Sequence, residues 1–121
     1  MTLRGYLIEL RNREGYLTPQ VIVDDARPAD SQLHDRFEWD DAVAAEQYRL
    51  SQARELVRSV RITFVEPSGT IERTRAFVSI ERAERTEYIP VEEVRSDPAL
   101  TALALRDAER EWRALFARFK H

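Results

Sequence analysis

Apolar positions along this chain change their spacing from one segment to the next, and the changes mark out its elements. The longest periodic run is residues 31–60, SQLHDRFEWDDAVAAEQYRLSQARELVRSV. Ser31 stands where it can cap a short helical turn through Leu33, His34 and Phe37. Asp40 is expected to cap a longer helix that runs to about Arg58, with Asp41 beside the positive end of its dipole. On a helical wheel Val43, Leu50, Ala53 and Val57 share one face, edged by Ala42 and Leu56, and this face is expected to meet the core. Gln47, Ser51, Arg54 and Arg58 form a row on the solvent side, flanked by Tyr48.

Upstream, Tyr6, Ile8 and Leu10 alternate with polar residues and run into Asn12, Arg13, Glu14 and Gly15, which reads as a short strand and a turn. Thr18 and Pro19 then supply a cap and a first-turn proline for a helix carrying Val21, Ile22, Val23 and Ala26. The β-branched run leaves a strand over Gln20 to Asp24 open. Arg27 to Asp30 is a connector. After the long helix the period falls to two, so Val60 to Val65 is expected as a strand, with a turn at Pro67, Ser68 and Gly69. Ile71 to Glu81 returns as its partner, giving a hairpin with one buried face. Arg82 to Glu87 reads as a loop, and Tyr88, Ile89 and Val91 as a short edge strand beside Pro90. A last helix starts at Ser96 or Asp97 with Pro98 in its first turn. Its apolar arc of Leu100, Ala104, Leu105, Ala108, Trp112, Leu115, Phe116 and Phe119 is wider than one small sheet requires.

The expected fold is therefore α+β: a helical, helix-turn-helix-like N-terminal part, a β-hairpin or small antiparallel sheet, and a long C-terminal helix. A length of 121 residues suits a single domain with its own core.

Three runs in the first half, LTPQVIVDDAR, LHDRFEWDD and AVAAEQYRLSQARELVRSV, together resemble a family of small, mostly uncharacterised proteins encoded in phage and prophage genomes. The resemblance covers about Leu17 to Arg61, and FEWDD with QAR is its most distinctive part. It implies a bacterial-virus or mobile-element setting and carries no catalytic residues with it. The chain departs from the family pattern at VIVDDAR, where a VVEAAR-like segment is usual, and so gains acidic charge.

Composition narrows the chemistry. There is no cysteine, hence no disulfide framework and no thiolate site. Carboxylate pairs occur at Asp24 and Asp25, Asp40 and Asp41, and Glu92 and Glu93, but neighbours on a helix point to different sides, and His34 and His121 are far apart. No Walker loop, nucleophile elbow or dinucleotide fingerprint is present. No enzyme, metal or cofactor is expected. There is no basic-then-apolar leader and no run near the ~18 apolar residues of a membrane span, so a cytoplasmic protein without a membrane partner is expected.

The formal net charge of -3 argues against general nucleic-acid binding, yet the positive charge is almost all arginine, Lys120 being the one lysine. Three helices followed by a hairpin is also the element order of a winged helix. The start of the long helix is acidic or small, at Asp40, Asp41, Ala42 and Ala45, and would be repelled by phosphate. The better duplex-DNA contacts are Gln47, Ser51, Arg54 and Arg58, helped by Arg61, Arg73 and Arg75. A solvated face laced with ion pairs is the competing explanation. The function expected is a non-enzymatic phage accessory protein, either DNA-binding or a homodimeric interaction protein meeting its partner through Leu105, Trp112, Phe116 and Phe119.

Overall fold

A computed structural model describes residues 1–118, the side chains of residues 116 and 118 excepted. The chain opens with α1 (Leu3–Glu14), in place of the expected strand. Tyr6, Ile8 and Leu10 fit a period of two, but Leu3, Leu7 and Leu10 fit a helix equally well, and burial favours the helix. Leu7 and Leu10 are fully covered. The ends agree with this choice: Thr2 Oγ1 accepts from Gly5 N–H at 3.0 Å, and Gly15 turns the chain out at φ 91°, a conformation that costs glycine little. Then α2 (Pro19–Ala26) forms as its Thr18–Pro19 start requires, with Thr18 Oγ1 accepting from Val21 N–H at 3.2 Å. It buries Ile22, Val23 and Ala26, so the strand alternative falls away.

Residues 27–45 are an irregular segment built around aromatic stacking. Ser31 Oγ accepts from Leu33 N–H, and a 3-10 turn follows at His34–Arg36. His34 donates from Nδ1 to the Ala26 carbonyl at 2.8 Å and lies flat against Trp39, with ring centroids 5.0 Å apart. Trp39 Nε1 returns a hydrogen bond to the His34 carbonyl at 2.7 Å. His34 is thus a structural residue.

The long helix, α3 (Glu46–Ser59), starts later than expected, and Asp40 does not cap it. Asp40 Oδ1 instead accepts from Ala42 N–H, and its carbonyl accepts from Val43 and Ala44, which closes a separate turn. The reason is Arg49. This buried arginine donates to the carbonyls of Glu38, Trp39 and Ala44 and pairs with Asp41, so residues 38–44 wrap around its guanidinium instead of continuing the helix. Val43 is left 70% exposed, and the covered stripe is Arg49, Ala53 and Val57, with Leu50 and Leu56 at its edges.

The expected hairpin exists as β1 (Arg61–Val65) and β2 (Ile71–Arg75), paired antiparallel with Arg61 opposite Arg75 and Val65 opposite Ile71. Neither face is buried. Ile62, Phe64 and Thr74 are half-covered, and the other face is exposed throughout. The long return strand is broken at buried Ala76, whose N–H goes to the Val60 carbonyl and whose own carbonyl accepts from Val91. Beyond it, β3 (Phe77–Arg82) and β4 (Arg85–Pro90) make a second two-stranded sheet across a tight turn at Ala83 and Glu84, both with positive φ. The expected loop at residues 82–87 is therefore this hairpin's tip. A short α4 (Val91–Ser96), which no periodicity in the sequence announces, precedes α5 (Pro98–Arg118). Asp97 Oδ1 caps α5, accepting from Ala99 at 2.9 Å and Leu100 at 3.4 Å.

The structure is α+β, with N-terminal helices, two small antiparallel sheets and a long C-terminal helix. The α2–α3 connection of residues 27–45 is far longer than a helix-turn-helix turn, so the likeness to that motif is one of element order. The main core joins α1, α2, α3 and the inner sides of Phe77 and Tyr88. A smaller one lies under α5, where Leu100 meets Ile80, Ile89 and Val94. Among the described residues no helix is long and apolar enough to cross a membrane.

Candidate functional site

Long-range contacts bring three elements around one cleft. Tyr88 N–H donates to the Leu17 carbonyl at 2.7 Å, which holds the α1–α2 connection and the start of α2 against β4. Leu50, Arg54, Val57 and Arg58 of α3 form the other side, and Arg75 of the first hairpin lines the cleft as well. The cleft, half open to solvent, has a volume of about 670 Å³, within the ~300–1,000 Å³ of small-ligand sites. Leu50, Val57, Phe77 and Tyr88 make an apolar floor, while Arg54, Arg58, Arg75 and Arg85 bring positive charge to the walls. Gln20, Ser79 and Thr86 add uncharged hydrogen-bonding groups, and Glu111 of α5 is the one carboxylate lining it among the described residues.

The arginines differ in how they are held. Arg58 pairs with Glu55 at 2.7 Å on the surface of α3. Arg85 lies over the Tyr16 ring, 3.9 Å from its centroid, and donates from Nε to Glu87 at 3.3 Å. Arg54 and Arg75 have no carboxylate partner among the described residues. Across the hairpin Arg75 faces Arg61 directly, and Arg73 shares their outer face. Like charges in directly opposed positions disfavour strand pairing, so this face retains unanswered positive charge at a cost to the hairpin. Burial pushes the Tyr88 phenol above its ordinary pKa, and nearby Arg54 and Arg58 pull it part of the way back. Glu87, buried under the sheet, is opposed by burial but held below the ordinary carboxylate range by Arg82 and Arg85.

Of the residues singled out from the sequence, Arg54, Arg58 and Arg75 meet in the cleft, with Arg61 and Arg73 on the adjoining outer face of the hairpin. Ser51 opens instead onto a shallower hollow with Tyr48 and Gln52, and Gln47 is exposed beside neither. Arg85 escapes a reading of the sequence, because it falls in the expected loop and nothing local links it to Tyr16. On α5, Leu105 and Trp112 are 66% and 63% exposed, and Leu115 is open as well. The Phe116 side chain and Phe119 lie outside the described residues.

The carboxylate pairs have structural partners. Asp25 accepts from Tyr6 Oη and from Arg13, each at 2.6 Å, while Asp24 takes Arg27 and Gln20. Glu92 pairs with Arg4 and Glu93 with Arg11. Among the described residues no three histidines or carboxylates cluster as a metal site. Compared with family models, curated proteins and solved structures, the chain matches none of them, so the geometry of the arginine-walled cleft carries the functional reading.

Proposed function

We propose that this chain is a non-enzymatic accessory protein of a phage or prophage that binds nucleic acid through the arginine surface running from α3 across the cleft to the β1–β2 hairpin. The observation behind it is the meeting of Arg54, Arg58 and Arg75 around one concavity, continued by Arg61 and Arg73, with no carboxylate answering Arg54 or Arg75 among the described residues. Planar guanidinium groups suit bidentate contact with phosphate oxygens. Such contacts neutralise the backbone without reading base identity, so binding is sequence-tolerant. The start of α3 presents Glu46 and Gln47 after an irregular segment, which does not resemble a base-reading helix start.

The net charge of -3 keeps affinity modest and confines attraction to this face. Affinity for a DNA duplex is therefore expected to be measurable near about 50 mM salt and to fall steeply toward about 200 mM. The test is a fluorescence-anisotropy titration of a labelled duplex over that range. Arg54→Ala with Arg58→Ala should weaken binding and flatten the salt dependence by about one unit of slope for each arginine that touches a phosphate. An unchanged affinity and slope, or no binding at the lowest salt, refutes the proposal.

A second reading follows from the open apolar side of α5. Leu105, Trp112 and Leu115 are exposed along α5, Leu105 beside the residues that pack on the smaller core and the other two further along the helix, which favours a homodimer or another protein partner. Sedimentation equilibrium distinguishes them: a dimer that Leu105→Glu with Leu115→Glu converts to a monomer supports self-association. A monomer at high micromolar concentration refutes it.

A further inference from the structure

The shape of the cleft points to a narrower ligand than duplex DNA. A duplex backbone is convex and meets arginines that project from a surface, whereas Arg54, Arg58 and Arg75 converge on a concavity of about 670 Å³ with an apolar floor. A phosphate group alone has no use for that floor. The wall opposite α3 carries the Arg85 guanidinium over the face of Tyr16, 3.9 Å from the ring centroid. The Arg85 side chain is 45% exposed, and its guanidinium is a planar, cationic group of the kind on which unpaired bases stack. Ser79 and Thr86, both exposed and lining the same cleft, offer hydroxyl groups that can donate to or accept from a base edge.

From this arrangement, and resting on the nucleic-acid reading above, we infer that the cleft holds an unpaired nucleotide, with its phosphate among Arg54, Arg58 and Arg75 and its base against the Arg85–Tyr16 pair. The preferred ligand is then single-stranded nucleic acid or a free nucleotide; a duplex meets the arginines of this surface but has no free base to set against the Arg85–Tyr16 pair. Arg85 supplies what the other arginines do not, because a lysine there keeps the charge and loses the plane.

The experiment is an anisotropy titration of the full chain at one low salt concentration with a labelled oligothymidylate of about ten nucleotides, a duplex of equal length, and thymidine monophosphate as competitor. The single strand should bind more tightly than the duplex. Arg85→Lys should weaken the single strand at least about fivefold, as expected when one base no longer stacks, and leave the duplex unchanged. Ser79→Glu adds a carboxylate at an exposed wall position without disturbing buried groups, and should weaken the single strand likewise. Displacement by thymidine monophosphate assigns the site to a free nucleotide, and strand binding that resists displacement assigns it to a strand; either supports the inference. Duplex binding equal to or tighter than single-strand binding, with both variants silent, overturns it and leaves the arginine-surface reading in place. No binding to any of these ligands overturns both.

Discussion

Arg49 is the residue whose removal should most clearly expose how the first half of the chain is held. Its side chain is only 6% exposed and donates to the Glu38 carbonyl at 2.9 Å and to the Trp39 and Ala44 carbonyls at 3.3 Å. It also pairs with Asp41 and lies 5.2 Å from the Trp39 ring centroid. Truncation to alanine leaves three carbonyl oxygens without this donor. The shorter bond, made by a charged group, is worth about 1.5–3 kcal/mol, and the two longer ones add less. Removing the cation–π interaction adds about 0.5–1 kcal/mol. Arg49→Ala should therefore cost about 3 kcal/mol, a large share of the roughly 5–15 kcal/mol that holds a typical domain together. In urea this lowers the midpoint by about 1.5 M at an m-value near 2 kcal/mol/M, read from tryptophan fluorescence and circular dichroism in parallel. Arg49→Met, which keeps the apolar stem over Trp39, should recover only a minor part. Asp41→Ala should move the midpoint little, because that carboxylate is 84% exposed. A destabilisation below about 1 kcal/mol in Arg49→Ala, or an equal one in Asp41→Ala, refutes the claim that the bonds to these carbonyls organise residues 38–44.

Three further outcomes are expected. Asp97→Ala removes the side-chain acceptor of two N–H groups at the start of α5 and should cost about 1 kcal/mol in thermal or urea unfolding. Glu87 is held below its ordinary pKa by Arg82 and Arg85 despite burial, so its contribution to stability is complete above about pH 4.3 and is lost as pH falls through its lower folded-state value. Glu87→Gln should destabilise at neutral pH and flatten that acid limb in urea titrations taken at stepped pH; an unchanged limb would assign the acid sensitivity to other carboxylates. Ala83→Asn with Glu84→Gly places the residues preferred at paired positive φ, now 52° and 61°, and should raise stability by about 1 kcal/mol, measured as a higher urea midpoint.

Where neighbours in sequence decide the outcome, the sequence was enough. Thr18 with Pro19, and Ser96 or Asp97 with Pro98, mark the starts of α2 and α5 because a side-chain acceptor and a residue lacking an N–H meet the needs of a helix's first turn locally, while the structure removed the strand alternative over Gln20 to Asp24 and chose Asp97 as the cap. The alternation from Val60 to Val65 and the turn through Gly69 likewise produced β1 and its hairpin. The first segment reads as a strand because Tyr6, Ile8 and Leu10 fit a period of two, and only packing into the main core favours the helix that buries Leu7 with Leu10. Asp40 has the chemistry of a cap, but three backbone carbonyls gathered by Arg49 outweigh the extra helical turn it would have started. The return strand reads as continuous, and its break at Ala76 follows from hydrogen bonds to Val60 and Val91, which are remote along the chain. For the cleft, the row on α3 was legible as a solvent face, since helical spacing alone puts Arg54 and Arg58 together. The meeting of that row with Arg75, Arg85 and Tyr16 was not. It depends on Tyr88 holding the α1–α2 connection against β4, and a hydrogen bond between residues so far apart is set by the packing of the whole core and by nothing in the local sequence.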